Sequence, residues 1–415
     1  MIAALTPDGG PLPDAALTSD AAPTPDAALT PDAALTPDAG PLPDAALTSD
    51  AAPLPDFVHE RVTTVTGARS GLRITVALHS SVIGPGLGGC RLWMYDHWLD
   101  GVADAMRLAQ AMTMKNALAD IGAGGGKAVI ALEAGDLVES AGAGYGAGRA
   151  LPLERRRDAL LDLGDLVESF GGAYITTEDV GVTEHDMLIV RERTPHVVGL
   201  PAADGGSGEP AASTALGVFA SIEQVLFAVF GSSAIEGRSF VISGLGQVGS
   251  RLARRLAAAG AVLTVTDLNP AVRALADELG ATWIAPDAAV STPADMFVPA
   301  GLGGILTAPV IEQLPVRAIC GPANNPLAER VGADALAARG ILYAPDYLVN
   351  AGGVIHLALT ERGETLAVVD ARLRRIGGTL AEVLALATVE GITPLDAADR
   401  LALDRLAAAR VLSAR

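Results

Sequence analysis

From Phe57 onward, apolar and polar residues follow the periods of strands and helices. Residues 64–80 predict two strands joined by a turn at residues 67–71, and GLRITVAL has the clearest strand pattern. Apolar positions recur at helical spacing in residues 100–115, which places Lys115 near the end of a helix. The apolar run AVIAL after Lys127 predicts another strand. This half of the chain therefore predicts an α/β domain.

A second α/β pattern follows an apolar helix predicted at residues 214–230. The strand SFVIS, a glycine turn and a helix lead to a second strand, AVLTVTD, which ends in Asp267. Gly244, Gly246 and Gly249 lie between the first strand and the helix, and Asp267 follows Gly249 by 18 residues. This arrangement places a pyrophosphate at the helix N-terminus and a ribose on the acid. Further strands, MFVPA, AICG and ILYAP, continue the alternation, so this half predicts a dinucleotide-binding domain.

The first 56 residues have a different pattern, with an aspartate at every sixth position from Asp8 to Asp56 and no lysine or arginine. Acidic, proline-rich repeats cannot bury enough apolar surface to offset chain entropy, so residues 1–56 predict a disordered, solvated tail. The alternatives are a partner-binding or solubilising arm, or an over-called start site.

A short internal repeat marks a second irregularity. GDLVES occurs at residues 135–140 and again at 164–169, with the glycine-rich AGAGYGAGR between them. The family resemblance given below implies fewer residues between this strand and the next helix, so we expect residues 136–151 to be an insertion that forms a surface loop.

Composition narrows the class of protein. Half of the 415 residues are apolar, enough to bury two separate cores. A net charge of −19 argues against nucleic acid and anionic membranes as partners, because both are bound through basic surface. Cys90 and Cys320 are too few for a disulfide framework, so we expect a cytoplasmic protein. No metal site is expected, since His97, His185 and His356 lack metal-ligand spacing.

Charged residues flank a glycine run in the first half. Lys115 and Lys127 bracket MKNALADIGAGGGKAVI, and a Gly-Gly pair with an arginine lies upstream at residues 88–91. A buried ammonium group needs a partner, and an anionic ligand would supply one. Asp179 follows the apolar strand AYITT and brings a carboxylate to a strand end. Two cations and one carboxylate indicate proton-transfer chemistry on a carboxylate-bearing substrate.

The order and spacing of six motifs resemble the glutamate/leucine/phenylalanine/valine dehydrogenase superfamily, and its branched-chain members most of all. These motifs are GPGLGGCR, AMTMKNALADIGAGGGKAVI, ITTEDVG, GLGQVG, GPANNPL and YAPDYLVNAGGVI. The resemblance implies an α/β substrate-binding and dimerisation domain at residues 57–212 and a Rossmann NAD-binding domain at 213–345. Residues 346–415 would form helices that return to the first domain. It also implies an L-amino acid, its 2-oxo acid and ammonia as small-molecule partners, and a homo-oligomer, either a dimer or an octamer.

The resemblance also implies roles for matching residues. Lys127 matches a catalytic lysine that polarises the substrate carbonyl and activates water, and Asp179 matches the acid/base aspartate. Lys115 matches the lysine that holds the substrate carboxylate. The other substrate-binding positions are Gly88, Gly89, Leu87, Met112, Thr177, Asn350, Val354 and Leu357. The cofactor-binding positions are Gly244, Leu245, Gly246, Gln247, Val248, Gly249, Asp267 and Asn324.

The substrate side chain is the remaining question. Glutamate-specific members carry a lysine where this chain has Leu87, and an unpaired carboxylate there would be costly. Thr177, Val354 and Leu357 match an aliphatic pocket, and the bulk of Thr177 and Leu357 favours short branched side chains. We expect overlapping activity on valine, leucine and isoleucine. The alternatives are a glutamate- or phenylalanine-type enzyme and a non-catalytic NAD-binding paralogue, which the intact lysines and aspartate disfavour.

Overall fold

The structure is a computed structural model that describes residues 59–139 and 149–413. The predicted tail at residues 1–56 and the middle of the predicted insertion, residues 140–148, lie outside the described residues. The described chain forms two large sheets with helices packed on them, followed by a C-terminal group of helices.

The first large sheet has six strands. The first half of the chain contains β1 (Arg61–Thr66), β2 (Arg73–Ser80), β3 (Gly86–Leu87), β4 (Cys90–Met94), β5 (Gly124–Leu132), β6 (Val138–Glu139), β7 (Arg149–Ala150) and β8 (Tyr174–Ile175), with α1 (Trp98–Ala119), α2 (Leu153–Glu168) and α3 (Glu184–Arg191). The strand order is β1-β2-β5-β3-β8, and β4 also pairs with β5. The β1–β2 and β2–β5 pairs are antiparallel, whereas β3 and β4 run parallel to β5. All nine residues of β5 are buried, so it is the central strand.

Glycines at the start of β5 allow α1 to pack closely against it. A Cβ added to Gly125 would lie 2.2 Å from the backbone nitrogen of Thr113 on α1. A side chain at this position would therefore push the helix away from the strand. This close packing places Lys115 of α1 beside the strand that carries Lys127.

The second large sheet is parallel throughout. Its region contains α4 (Ala211–Phe230), β9 (Ser239–Ser243), α5 (Gln247–Ala258), β10 (Val262–Thr266), α6 (Arg273–Leu279), β11 (Thr282–Trp283), β12 (Met296–Pro299), α7 (Ala308–Gln313), β13 (Ala318–Ile319), α8 (Gly332–Ala338) and β14 (Leu342–Tyr343). The strand order is β11-β10-β9-β12-β13-β14. This is the doubly wound order of dinucleotide-binding folds, in which ligands bind where the order reverses. The predicted dinucleotide-binding fold is confirmed.

The C-terminal helices pack back on the first half of the chain, as predicted. They are α9 (Asp346–Val349), α10 (Gly352–Glu361), α11 (Leu366–Glu390) and α12 (Pro394–Ser413). Helix α12 packs on both α1 and α11, and α11 packs on α4. The guanidinium of Arg405 donates to the carbonyls of Ala117 (3.1 Å) and Leu118 (2.9 Å) at the end of α1. Arg372 donates to the carbonyl of Asp120 at 2.8 Å.

Helix α4 is the one helix within residues 59–139 and 149–413 that is long and apolar enough to cross a membrane. It lies largely inside the fold, packed against α5, α10 and α11. Its apolar face therefore belongs to the protein core.

The predicted insertion at residues 136–151 begins and ends with more structure than a surface loop. Val138 pairs with Ala150 in an antiparallel ribbon formed by β6 and β7. At its base, Asp136 forms an ion pair with Arg155 of α2 at 2.8 Å. The described ends of the insertion are thus anchored to the first half of the chain.

Candidate active site

The catalytic pair predicted from the sequence is in direct contact. Nζ of Lys127 on β5 lies 2.7 Å from Oδ2 of Asp179, which belongs to the loop after β8. The Lys127 side chain is only 6% exposed. Because an isolated buried ammonium would be costly, the carboxylate of Asp179 is the partner that permits this placement.

Asp179 also contacts Arg91, which the sequence analysis did not assign to the site. Arg91 Nε lies 3.4 Å from Oδ2 of Asp179. Burial raises the pKa of Asp179, but the positive charges of Lys127 and Arg91 outweigh that effect and the net pKa is lowered. Asp179 is therefore a stably ionised acceptor.

Lys115 lies on α1, half-buried and near this pair. Burial lowers its pKa, the carboxylates of Asp346 and Asp179 raise it, and Lys127 lowers it, giving a pKa of about 8. Sequence reasoning missed Asp346, which follows β14 at the start of α9. The Asp346 carboxylate accepts from the Tyr343 hydroxyl (2.9 Å) and the Asn325 backbone (2.8 Å). Lys115 is therefore an ammonium group whose pKa lies close to neutral pH. In its protonated form, beside the proton-transfer pair, it can bind a substrate carboxylate.

Gly88 and Gly89 lie between β5 and the loop that carries Asp179. A Cβ at Gly88 would lie 1.9 Å from the carbonyl oxygen of Gly126. A Cβ at Gly89 would lie 2.4 Å from the carbonyl oxygen of Glu178 and 2.8 Å from Cβ of Asp179. Packing alone thus requires glycine at both positions, in addition to the substrate contact that the resemblance implies.

The residues predicted to surround the substrate side chain are mostly apolar and buried. Leu87 is 5%, Thr177 5% and Leu357 4% exposed, while Met112 and Val354 are partly exposed. The Thr177 hydroxyl donates to the carboxylate of Glu178, so this hydroxyl is already satisfied within the protein. Burial raises the pKa of Glu178.

The glycine turn between β9 and α5 leaves open space for a dinucleotide. A Cβ at Gly246 would meet no atom within 4 Å, so the backbone here can be approached closely. A Cβ at Gly249 would lie 2.1 Å from the carbonyl of Gly244, which explains the close packing of helix and turn. Leu245, Gln247 and Val248 complete the turn and the first residues of α5, where backbone N–H groups favour anions.

Asp267 lies beside this turn, as predicted. Its carboxylate accepts from the backbone N–H of Leu245 at 2.6 Å and of Asn269 at 2.7 Å. Each carboxylate oxygen has more than one acceptor site, so Asp267 can still accept from a ribose hydroxyl.

Asn324 and Asn350 form the link between the two predicted sites. Asn350 Nδ2 donates to Oδ1 of Asn324 (2.8 Å) and to the carbonyl of Pro322 (3.2 Å). Among the described residues, the buried Oδ1 of Asn350 has no hydrogen-bond partner. An amide or amino group of a ligand that reached this acceptor would satisfy it. The residues present therefore fit a nicotinamide dinucleotide beside an amino-acid substrate.

The nucleotide-binding sheet and the lysine–aspartate site together define an amino-acid dehydrogenase that uses NAD. The chain belongs to the Glu/Leu/Phe/Val dehydrogenase family. The model of the family's dimerisation domain matches residues 57–144, and the Glutamate/Leucine/Phenylalanine/Valine dehydrogenase model matches residues 205–276 and 269–412.

Individual relatives are named for different amino acids. Leucine dehydrogenase of Bacillus subtilis (strain 168) is 36% identical over 349 residues, which cover 84% of this chain and 91% of that protein. Phenylalanine dehydrogenase of Bacillus thermotolerans is 36% identical over 356 residues, covering 84% and 89%. The solved structure of L-tryptophan dehydrogenase from Nostoc punctiforme has a TM-score of 0.71 and 33% identity, covering 85% and 96%. All three are amino-acid dehydrogenases.

Proposed function

We propose that this protein catalyses the reversible, NAD-dependent oxidative deamination of a branched-chain L-amino acid. The products are the 2-oxo acid, ammonia, NADH and a proton, and water is consumed. The observation that carries the proposal is the contact of buried Lys127 with the partly exposed Asp179, with Lys115 near it, in a chain that also forms a dinucleotide-binding turn.

In this reaction, Lys115 binds the substrate α-carboxylate, which leaves the α-carbon near Lys127. When bound at the glycine turn between β9 and α5, NAD would supply the hydride acceptor for that carbon. Lys127 and Asp179, 2.7 Å apart, then move the protons of the attacking water and the departing ammonia. Asn350 offers its unpaired Oδ1 to the substrate amino group.

The choice of side chain rests on the apolar residues around the site. An unpaired second carboxylate beside Leu87 would be desolvated without a partner, which disfavours glutamate. Thr177 and Leu357 reduce the available room, which favours valine, leucine and isoleucine over phenylalanine. The phenylalanine- and tryptophan-acting relatives make aromatic substrates the alternative to be tested.

The direct test is NADH formation from a panel of L-amino acids, measured by absorbance, with glutamate, phenylalanine and tryptophan included. We expect the highest kcat/KM with the branched-chain acids. Lys127→Ala is expected to lower kcat by roughly 100-fold or more, as for the loss of an acid/base group, with NAD affinity retained. Folded, NAD-binding protein without activity on any amino acid would contradict the proposal.

We further propose that the protein is a cytoplasmic homo-oligomer. The match of residues 57–144 to a dimerisation domain supports the assembly. Light scattering on the purified protein would give the subunit number, and a mass equal to one chain would contradict the proposal.

A further inference from the structure

Arg91 lies between two carboxylates that come from different elements. Its Nη1 is 2.9 Å from Oδ2 of Asp104 on α1, and its Nε is 3.4 Å from Oδ2 of Asp179. Strand β4 sets this position, because it pairs in parallel with β5, the strand that carries Lys127. Lys127 and Arg91 therefore approach the same oxygen of Asp179 from neighbouring strands.

Asp104 fixes the orientation of the Arg91 guanidinium. Its Oδ2 accepts from the Tyr95 hydroxyl at 2.8 Å, and its Oδ1 contacts the exposed Arg107 at 2.6 Å. The Arg91 side chain is only 20% exposed, so the pairing is shielded from solvent. The arrangement is more than a surface ion pair, whose contribution would be small.

We infer that Arg91 is a positioning residue that keeps Asp179 ionised and directed at Lys127 throughout the reaction. The inference rests on the proposed proton-transfer role of the pair. When Lys127 gives its proton to the substrate, its attraction for Asp179 is lost. Arg91 cannot be deprotonated, so it holds the Asp179 carboxylate in place until Lys127 regains a proton.

Other charged and titratable groups act on this pair as well. They are Cys90 on β4, Lys115 on α1, Tyr174 on β8 and Glu178 in the same loop as Asp179. Among these, Lys115 is the other cation, and a bound substrate carboxylate neutralises it. During turnover, Arg91 is then the fixed positive charge beside the pair.

The experiment compares Arg91→Gln, Arg91→Lys and Arg107→Gln by the pH profile of kcat/KM for oxidative deamination. Arg107→Gln is the matched control, because Arg107 contacts the same Asp104 without contacting Asp179. R91Q removes a positive charge that favours proton release from the Lys127–Asp179 pair. We expect the rising limb of the profile to shift to higher pH by about one unit, and kcat to fall roughly tenfold to a hundredfold. R91K should keep the wild-type limb, and R107Q should match the wild type.

Unchanged limb and kcat in R91Q, or an equal shift in R107Q, would overturn the inference. So would a lowered kcat without a shifted limb, which is the result of a merely structural role. A wild-type enzyme inactive on every amino acid would instead refute the proposed function. If R91Q does not fold, Asp104→Asn replaces it: removing the negative charge that partly neutralises Arg91 should move the limb to lower pH, and an unmoved limb would overturn the inference.

Discussion

The pKa of Lys115 makes a sharp prediction about carboxylate binding. With a pKa of about 8 instead of the ordinary 10.5, Lys115 loses its proton as the pH rises through about 8. Binding that depends on this ammonium is therefore strong below that pH and is lost above it. By about pH 10 only about 1% of Lys115 would be protonated, so affinity should fall roughly a hundredfold. If the pKa of the lysine were unperturbed, the affinity would change less than about twofold between neutral pH and about pH 10.

The assay measures the dissociation constant of 4-methylpentanoate by calorimetry. The NAD-bound enzyme is titrated at several pH values between neutral pH and about pH 10. This ligand lacks the 2-amino and 2-oxo groups, so it cannot react, and its carboxylate is ionised throughout. Lys115→Arg is the matched control, because a guanidinium keeps its charge and any binding should become independent of pH.

Asp346→Asn tests whether the Asp346 carboxylate keeps the pKa of Lys115 from falling further. The Asp346 carboxylate raises the pKa of Lys115, so its neutralisation should move the loss of affinity to lower pH. Constant affinity up to about pH 10 in the wild type would refute the reasoning. An equal loss in Lys115→Arg would show that a different group titrates.

Three further predictions concern the substrate pocket and the nucleotide-binding turn. Thr177→Ala should raise the kcat/KM ratio of leucine over valine by a few-fold to about a hundredfold, whereas Thr177→Val, which keeps the volume, should leave it nearly unchanged; equal ratios in both variants would place Thr177 outside the pocket. Gly249→Ala should abolish NAD binding in a fluorescence titration, because its Cβ would lie 2.1 Å from the Gly244 carbonyl, and near-normal affinity would contradict the close packing. NAD should be preferred over NADP by at least about tenfold in kcat/KM, since Asp267 repels a 2′-phosphate, and equal values would mean that Asp267 does not contact the ribose.

The parts of the fold that were predicted from sequence are those with local signals. Gly244, Gly246, Gly249 and Asp267 lie within one strand–helix–strand unit, where spacing alone specifies geometry. The helix that carries Lys115 was also predicted, although it continues beyond residue 115 to Ala119. Its last three residues, Ala117–Ala119, are apolar and gave no stop signal.

The charge network around the site could not be predicted in the same way. Arg91 and Asp104 meet only because a strand and the following helix pack in one particular register. Asp346 acts on Lys115 from a distant part of the chain, so no local pattern connects them. The motif with Gly88 and Gly89 marked the right segment, but it did not reveal how closely these residues approach Gly126 and Glu178.

The contacts of Arg405 have a consequence for the order in which the enzyme is made. A ribosome completes α1, which carries Lys115, long before it adds Arg405. Until then, the carbonyls of Ala117 and Leu118 at the helix end lack the donor that they have in the finished protein. The last helix therefore completes the C-terminal end of α1, and a nascent chain gains this contact only when residue 405 has emerged from the ribosome.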